Sequence, residues 1–167
     1  MMDNNRFMRA LLFVVAIAIP LGAGVVGSLF TTSAITGWYS TISKPSLTPP
    51  DWVFAPVWTS LYILMGISLY LVIRSGFSAP TVRQGIALFA TQIIVNVLWS
   101  AMFFGLHSPL PALMVLVILI VLVVVTIVVF ARISRPAAWL LIPYLGWCCF
   151  AALLNGLVVL VNAPGQS

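Results

Sequence analysis

Long apolar runs separated by short polar breaks dominate the chain, and their lengths predict helices that cross a bilayer. A crossing helix needs about 20 mainly apolar residues, so charge-free intervals can be read as spans. Between Arg9 and Lys44 the apolar part, residues 10–30, predicts a first span. Arg6 and Arg9 would suit the basic end of a signal peptide, but the apolar region of such a peptide has about 7–15 residues, so a retained helix is expected. Asp51 to Arg74 holds a second span, residues 53–73. The charge-free interval from Arg83 to Arg132 is too long for one crossing, and Gly105, His107, Ser108, Pro109 and Pro111 break it with turn-forming residues. It therefore divides into spans at 82–104 and 110–131. After Arg135 and Pro136 a fifth span runs over 137–161. The fold class expected is an all-α membrane protein, a five-transmembrane-helix bundle occupying 1–167 as a single integral membrane domain.

Composition agrees with this pattern. The chain of 167 residues is 63% hydrophobic and 5% charged, with a mean hydropathy of +1.22. A soluble domain has about 25% charged residues, so this chain lacks the polar atoms to cover a water-facing surface. The cations are asymmetric: Arg6, Arg9, Arg74, Arg83, Arg132 and Arg135 fall at one end of the bundle and Lys44 alone at the other. The positive-inside rule then places the N-terminus inside, and the first loop and C-terminus outside, in a cell membrane. The net charge of +5 is thus a matter of topology, not of a nucleic-acid surface. No period repeats, and five spans do not split into the equal halves of an inverted-repeat transporter.

Much chemistry is excluded by what is missing. The carboxylates are Asp3 and Asp51, the one histidine is His107, and all three lie outside the strongly apolar stretches. Paired-carboxylate catalysis, intramembrane proton relays and His/carboxylate metal sites need more than this. Cys148 and Cys149 are adjacent, which is neither zinc nor redox spacing, and they read as small packing residues. No metal and no cofactor is expected.

The remaining polar and aromatic residues gather in four places. The long connection at 31–52 carries Trp38 and Tyr39 at one end, Trp52 at the other, and Pro45, Pro49 and Pro50 between them. Prolines stiffen such a stretch, and tryptophans argue against disorder, so it reads as a lid over the helix ends, with an interfacial aromatic belt as the alternative for Trp52. On the third span Gln92, Asn96, Trp99, Ser100 and Phe103 share one helical face; on the fifth, Tyr144, Trp147, Cys148, Ala151 and Asn155 do so. The second span offers Trp58, Tyr62, Met65 and Gly66 after a kink expected at Pro56. The faces could simply pack together, with Gln92, Asn96 and Asn155 bonding across helices. Converging beneath a tryptophan-bearing loop, they also suit a pocket for a large, planar, hydrophobic ligand.

The run Trp38-Tyr39, Lys44-Pro45, Pro49-Pro50, Trp52 through Tyr62, then Gln92, Asn96 and Trp99, and finally Pro143-Tyr144-Leu145-Gly146-Trp147 resembles the TspO/MBR family of tryptophan-rich sensory proteins and translocator proteins, also called peripheral-type benzodiazepine receptors. The resemblance covers nearly the whole chain. It implies a five-helix bundle, commonly a homodimer in membrane lipid, with a pocket closed by the first loop. Implied ligands are porphyrins such as protoporphyrin IX and haem, other tetrapyrroles, cholesterol-like lipids and synthetic drugs. Carried over by residue, the pocket would take Trp38, Tyr39, Pro49, Trp58, Asn96, Ser100, Trp147 and Ala151; Tyr62, Trp99 and Tyr144 join them from the faces above. The family's cholesterol pattern is absent, because Gly156 follows Asn155 and no Lys or Arg comes after Arg135.

Three functions compete. A binding or sensory protein fits an aromatic cavity without acids and bases. A light- and oxygen-dependent porphyrin-degrading enzyme, which some bacterial relatives resemble, would use Trp58 and Trp147 as its catalytic groups. A facilitated transporter of tetrapyrroles or lipids is the third. The topology has its own test: reporter fusions before Arg6 and at Gln166 should fall on opposite faces with the N-terminal one inside. Equal sidedness would overturn the five-span count, and a reversed pair the orientation.

Overall fold

In hydrocarbon every backbone N–H and C=O must find a partner, and apolar runs of this length do so within themselves, as helices. A computed structural model of the chain describes residues 2–163, with side chains from residue 5. The side chain of Asp3 and the fusion point Gln166 lie outside the described residues. The helices are α1 (Met2–Thr36), α2 (Trp38–Thr41), α3 (Phe54–Ile73), α4 (Pro80–Ser100), α5 (Pro109–Ile133), α6 (Arg135–Leu140) and α7 (Ile142–Val161). Among the described residues five stretches are long and apolar enough to span a membrane: Asn5–Thr36, Asp51–Ile73, Pro80–Gly105, Pro109–Ile133 and Arg135–Val161. The chain is an all-α, five-helix membrane bundle, with all six arginines at one end and Lys44 at the other.

Several boundaries differ from the expected ones for physical reasons. α1 runs past 10–30 at both ends, because arginines limit the membrane-buried part of a helix and not the helix itself. Its late hydroxyls do not stop it either: Thr31 and Thr32 donate back to the carbonyls of Gly27 and Ser28, 3.1 and 2.8 Å away. The third span ends in a π-helical turn, Ala101–Gly105, closed by the Leu106 N–H on the Ala101 carbonyl at 2.8 Å. The fifth is two helices. Pro143 has no N–H for the carbonyl four residues back, and the chain turns at Leu141. Pro56 makes no kink of the kind expected, since it stands in the first turn of α3, where helical N–H groups have no intrahelical acceptor anyway.

Around the bundle α1 packs on α3 and α4, α4 on α5, α5 on α7, and α6 returns to α3 to close the ring. Contact is closest toward the arginine end. A Cβ at Gly66 would lie 2.6 Å from the Ile17 Cα and 3.0 Å from the Ala16 carbonyl oxygen. That carbonyl is the one Pro20 leaves without its helical donor, so a glycine face meets a loosened turn of α1. Phe13 meets Tyr70 edge-on at 5.2 Å nearby, and the Ser68 hydroxyl donates to the Ala137 carbonyl at 2.7 Å, tying α3 to α6. Toward the loop end α1 and α3 separate.

Gly66→Ala should therefore lower stability by about 1–3 kcal/mol, the usual cost of overpacking. Gly22→Ala, whose added Cβ would meet nothing within 4 Å, should be neutral. Thermal unfolding in one detergent measures both, and equal melting temperatures would overturn the close-contact assignment.

Candidate functional site

The separation of α1 from α3 opens a cavity of about 560 Å³, within the usual range for small-molecule sites of about 300–1,000 Å³. α1 contributes Leu21, Gly24, Gly27, Ser28, Thr31, Thr32 and Ile35, α3 contributes Phe54, Trp58, Thr59 and Tyr62, and α4 contributes Asn96, Trp99 and Ser100. Asp51 and Phe104 complete it from the flanking turns. Gly24 is needed at the floor: a Cβ there would stand 2.5 Å from the Tyr62 ring.

A polar thread fixes the floor. The Tyr62 hydroxyl donates to Asn96 Oδ1 at 3.0 Å, and Asn96 Nδ2 donates to the Tyr144 hydroxyl at 3.2 Å. One asparagine thereby joins α3, α4 and α7. Ser100 performs the same office toward α1, donating to the Gly27 carbonyl at 3.1 Å and lying 3.2 Å from the Thr31 hydroxyl. Gln92, one turn further along the same face, is fully buried with neither amide atom partnered among the described residues.

Aromatic rings form the walls. Trp58 stacks on Tyr62 at 5.4 Å and lies 6.2 Å from Trp99, 6.3 Å from Tyr144 and 6.4 Å from Trp147. Trp147 is half-buried behind it, also touching Phe54 and Phe150. Of the eleven site residues expected from sequence, Trp58, Tyr62, Asn96, Trp99 and Ser100 line the cavity. Tyr144 and Trp147 back its wall, and Ala151 is half-buried further along α7.

The loop residues are held elsewhere. Trp38 stacks on His107 at 4.7 Å and meets Phe103 edge-on at 5.7 Å. Tyr39 is buried against Phe103 and Phe104, with Lys44 Nζ 4.6 Å above its ring. Burial first, and then the charge of Asp51, raise the Tyr39 pKa above the usual phenol value, so it stays neutral. His107 takes a left-handed backbone, φ 53°, after the π turn, which presents its ring to Trp38. Further on, Ser43 and Asn162 exchange two hydrogen bonds, 3.1 and 2.9 Å. The segment thus crosses the open end of the bundle from α1 to the end of α7 and back to α3, passing through Pro49, which is half-buried. Among the described residues no three His, Cys, Asp or Glu side chains gather as metal ligands.

The α1 wall is what sequence reasoning missed. Gly24, Gly27, Ser28, Thr31, Thr32 and Ile35 follow i, i+3, i+4, i+7, i+8, i+11 spacing, so the signal was a stripe of small and hydroxylated residues within an apolar run.

The fold and cavity define a class: a multi-pass helical membrane protein with an aromatic ligand-sized cavity between its helices. Residues 16–160 match the model of the TspO/MBR family, and the chain belongs to that family. It is 44% identical to the tryptophan-rich protein TspO of Chlorobaculum tepidum over 92% of this chain and 98% of the relative. It is 35% identical to the translocator protein of Bos taurus over 82% of each chain. With the tryptophan-rich sensory protein of Cereibacter sphaeroides it shares 36% identity over 77% of this chain and 81% of that one.

Asn96→Leu strands two tyrosine hydroxyls in the bundle. With interhelical bonds worth about 0.6 kcal/mol each, stability should fall by about 1 kcal/mol. Combined with Tyr62→Phe, the loss should be smaller than the sum of the single losses, because the two variants share a bond. Additive losses in thermal unfolding would dissolve the thread.

Proposed function

We propose that this protein binds porphyrins, with protoporphyrin IX and haem as the type, and other planar hydrophobic ligands in the cavity between α1, α3 and α4 under the first loop. The observation that carries the reading is the wall of Trp58, Tyr62 and Trp99 rings around a cavity of about 560 Å³. Flat aromatic faces reward a flat apolar ligand through stacking and burial, and Asn96 and Ser100 are the polar groups that orient it. Trp38, Tyr39 and Pro49 act from the lid, while Tyr144, Trp147 and Ala151 hold the far wall. The names of the relatives, sensory in one and translocator in another, support a ligand-handling role. The protein works in the cell membrane with its arginine end inside, as a homodimer.

One contact favours a second reading, light- and oxygen-dependent porphyrin degradation. Trp147 stands 6.4 Å behind Trp58, ring perpendicular to ring, so an electron drawn from Trp58 by an excited porphyrin can be replaced from a second indole.

Titration with protoporphyrin IX should quench tryptophan emission, after inner-filter correction, with submicromolar to micromolar affinity, about 8 kcal/mol. Unchanged emission would overturn the pocket. Illumination of the same sample separates the readings. If degradation occurs faster than for free porphyrin in the same detergent, Trp58→Phe with Trp147→Phe should slow it while largely preserving binding. Turnover no faster than free porphyrin leaves the binding reading alone.

A further inference from the structure

The arginine end carries more charge than the chain can balance. Four of its cations surround two neighbouring turns: Arg74 closes α3 and Arg83 stands in the first turn of α4, while Arg132 is in the last turn of α5 and Arg135 opens α6. Packing brings the two turns together. A Cβ at Gly85, two residues past Arg83, would lie 3.3 Å from Cδ1 of Ile133, the neighbour of Arg132. The Ser68 hydroxyl donates to the carbonyl of Ala137, two residues past Arg135, and Arg74 lies six residues, about 9 Å of helix, beyond Ser68 toward the same end. All four arginines are exposed.

The acidic side chains cannot neutralise them. Asp51 belongs to the loop end, and Asp3, three residues before Arg6 in the sequence, can offset one of the six arginines at most. Like charges gathered in this way repel, so their counter-charge must come from outside the chain. Its chemistry is set by arginine, whose planar fork of donors matches a phosphate. Its source is set by what stands beside the arginines. Phe77, on the turn between Arg74 and Arg83, is 55% exposed. α6 buries Ala137 and Ala138 and turns outward Arg135 and, one helical turn on, Trp139, which is 72% exposed. A soluble anion gains nothing from two bare aromatic rings, whereas a phospholipid offers them its glycerol and upper chains at the level where its phosphate meets the cations.

We propose that the ends of α3 and α5 and the starts of α4 and α6 form a binding surface for anionic phospholipid, with the head-group phosphate among Arg74, Arg83, Arg132 and Arg135 and the upper chains against Trp139 and Phe77. Membrane topology asks only for cations somewhere near the span ends. Here four of them converge, with exposed rings beside them, and that arrangement selects one lipid class over another.

The test uses the full chain in phosphatidylcholine vesicles in which a fixed fraction of one lipid carries bromine on its acyl chains: phosphatidylglycerol in one series, phosphatidylcholine in the other. Bromine quenches tryptophan on contact. Trp139 is read as the difference between the unaltered protein and Trp139→Phe, and Trp52, 74% exposed at the loop end, is read in the same way as the internal control. Both leaflets hold the same lipids, so the direction of insertion does not enter. Quenching at Trp139 should show a preference of about threefold to fivefold for phosphatidylglycerol at low salt, falling as salt rises, with none at Trp52. Arg132→Gln with Arg135→Gln should bring the preference close to one at an unchanged melting temperature in detergent. Should that pair melt early, Arg74→Gln with Arg83→Gln carries the same expectation. Equal quenching of Trp139 by the two lipids, an equal preference at Trp52, or a preference that survives loss of the arginines overturns the inference. Abolition of the preference by millimolar inorganic phosphate at constant ionic strength does so too, assigning the arginines to a free anion.

Discussion

The interaction on which the rest depends is the thread from Tyr62 through Asn96 to Tyr144. Lipid offers no hydrogen bonds, so an asparagine in a crossing helix is tolerable only if the bundle partners it, and here two phenols from two other helices do so. Each phenol hydroxyl in turn needs that amide. The arrangement fixes the rotation of α3, α4 and α7 about their own axes, because turning any of them would carry its polar atom out of reach. With those rotations set, Trp58 and Trp99 must face one another. The cavity wall is a consequence of satisfying three polar groups in a dry place.

A second constraint decides where the space lies. At the arginine end Gly66 lets α3 come against the backbone of α1 at Ile17 and Ala16, and Phe89 stacks on Phe130 at 6.0 Å between α4 and α5. At the loop end α3 carries the large rings of Phe54, Trp58 and Tyr62 instead, and rings hold helices apart. α1 meets them with glycines and hydroxyls, too small to fill the gap. One helix pair is therefore tight at one end and open at the other, and the opening falls beneath the connecting segment. That segment is pinned by stacking of Trp38 on His107 and by the paired bonds of Ser43 with Asn162.

Much of this was legible in the residues. Charge-free length marks a span whatever its neighbours do, and the 3.6-residue period put Gln92, Asn96, Trp99, Ser100 and Phe103 on one face of the third span, where all are buried. What was not legible depends on context that periodicity does not carry. In α1 uniform apolarity masked the stripe from Gly24 to Ile35, since a search for polar and aromatic residues passes over small ones. The turn at Leu141 comes from a missing N–H at Pro143, inside an interval that carries no charge. The seat of Trp38 needs both a π turn and a left-handed His107, and neither leaves a mark in composition. The family pattern grouped Trp38, Tyr39 and Pro49 with the pocket, whereas none of the three lines the cavity.

Trp58 shows how these constraints meet in one side chain. Its ring is part of the cavity wall and is at the same time packed against Tyr62, Trp99, Tyr144 and Trp147. A ligand that stacks on it touches α3 directly and, through single ring contacts, α4 and α7, which are also the helices joined by Asn96. Occupancy of the cavity therefore bears on the packing of three helices at once. Two of these rings, Tyr62 and Tyr144, are fixed by the hydrogen bonds to Asn96, and Trp58 packs against both. α1 is different: its cavity face carries glycines and hydroxyls between the aliphatic residues Leu21, Val25 and Ile35, and its tether to α4 in this region is Ser100 on the Gly27 carbonyl, with Thr31 alongside. The two sides of the cavity are thus held differently, the aromatic side by ring contacts and the thread through Asn96, the α1 side by the bonds of Ser100 and Thr31.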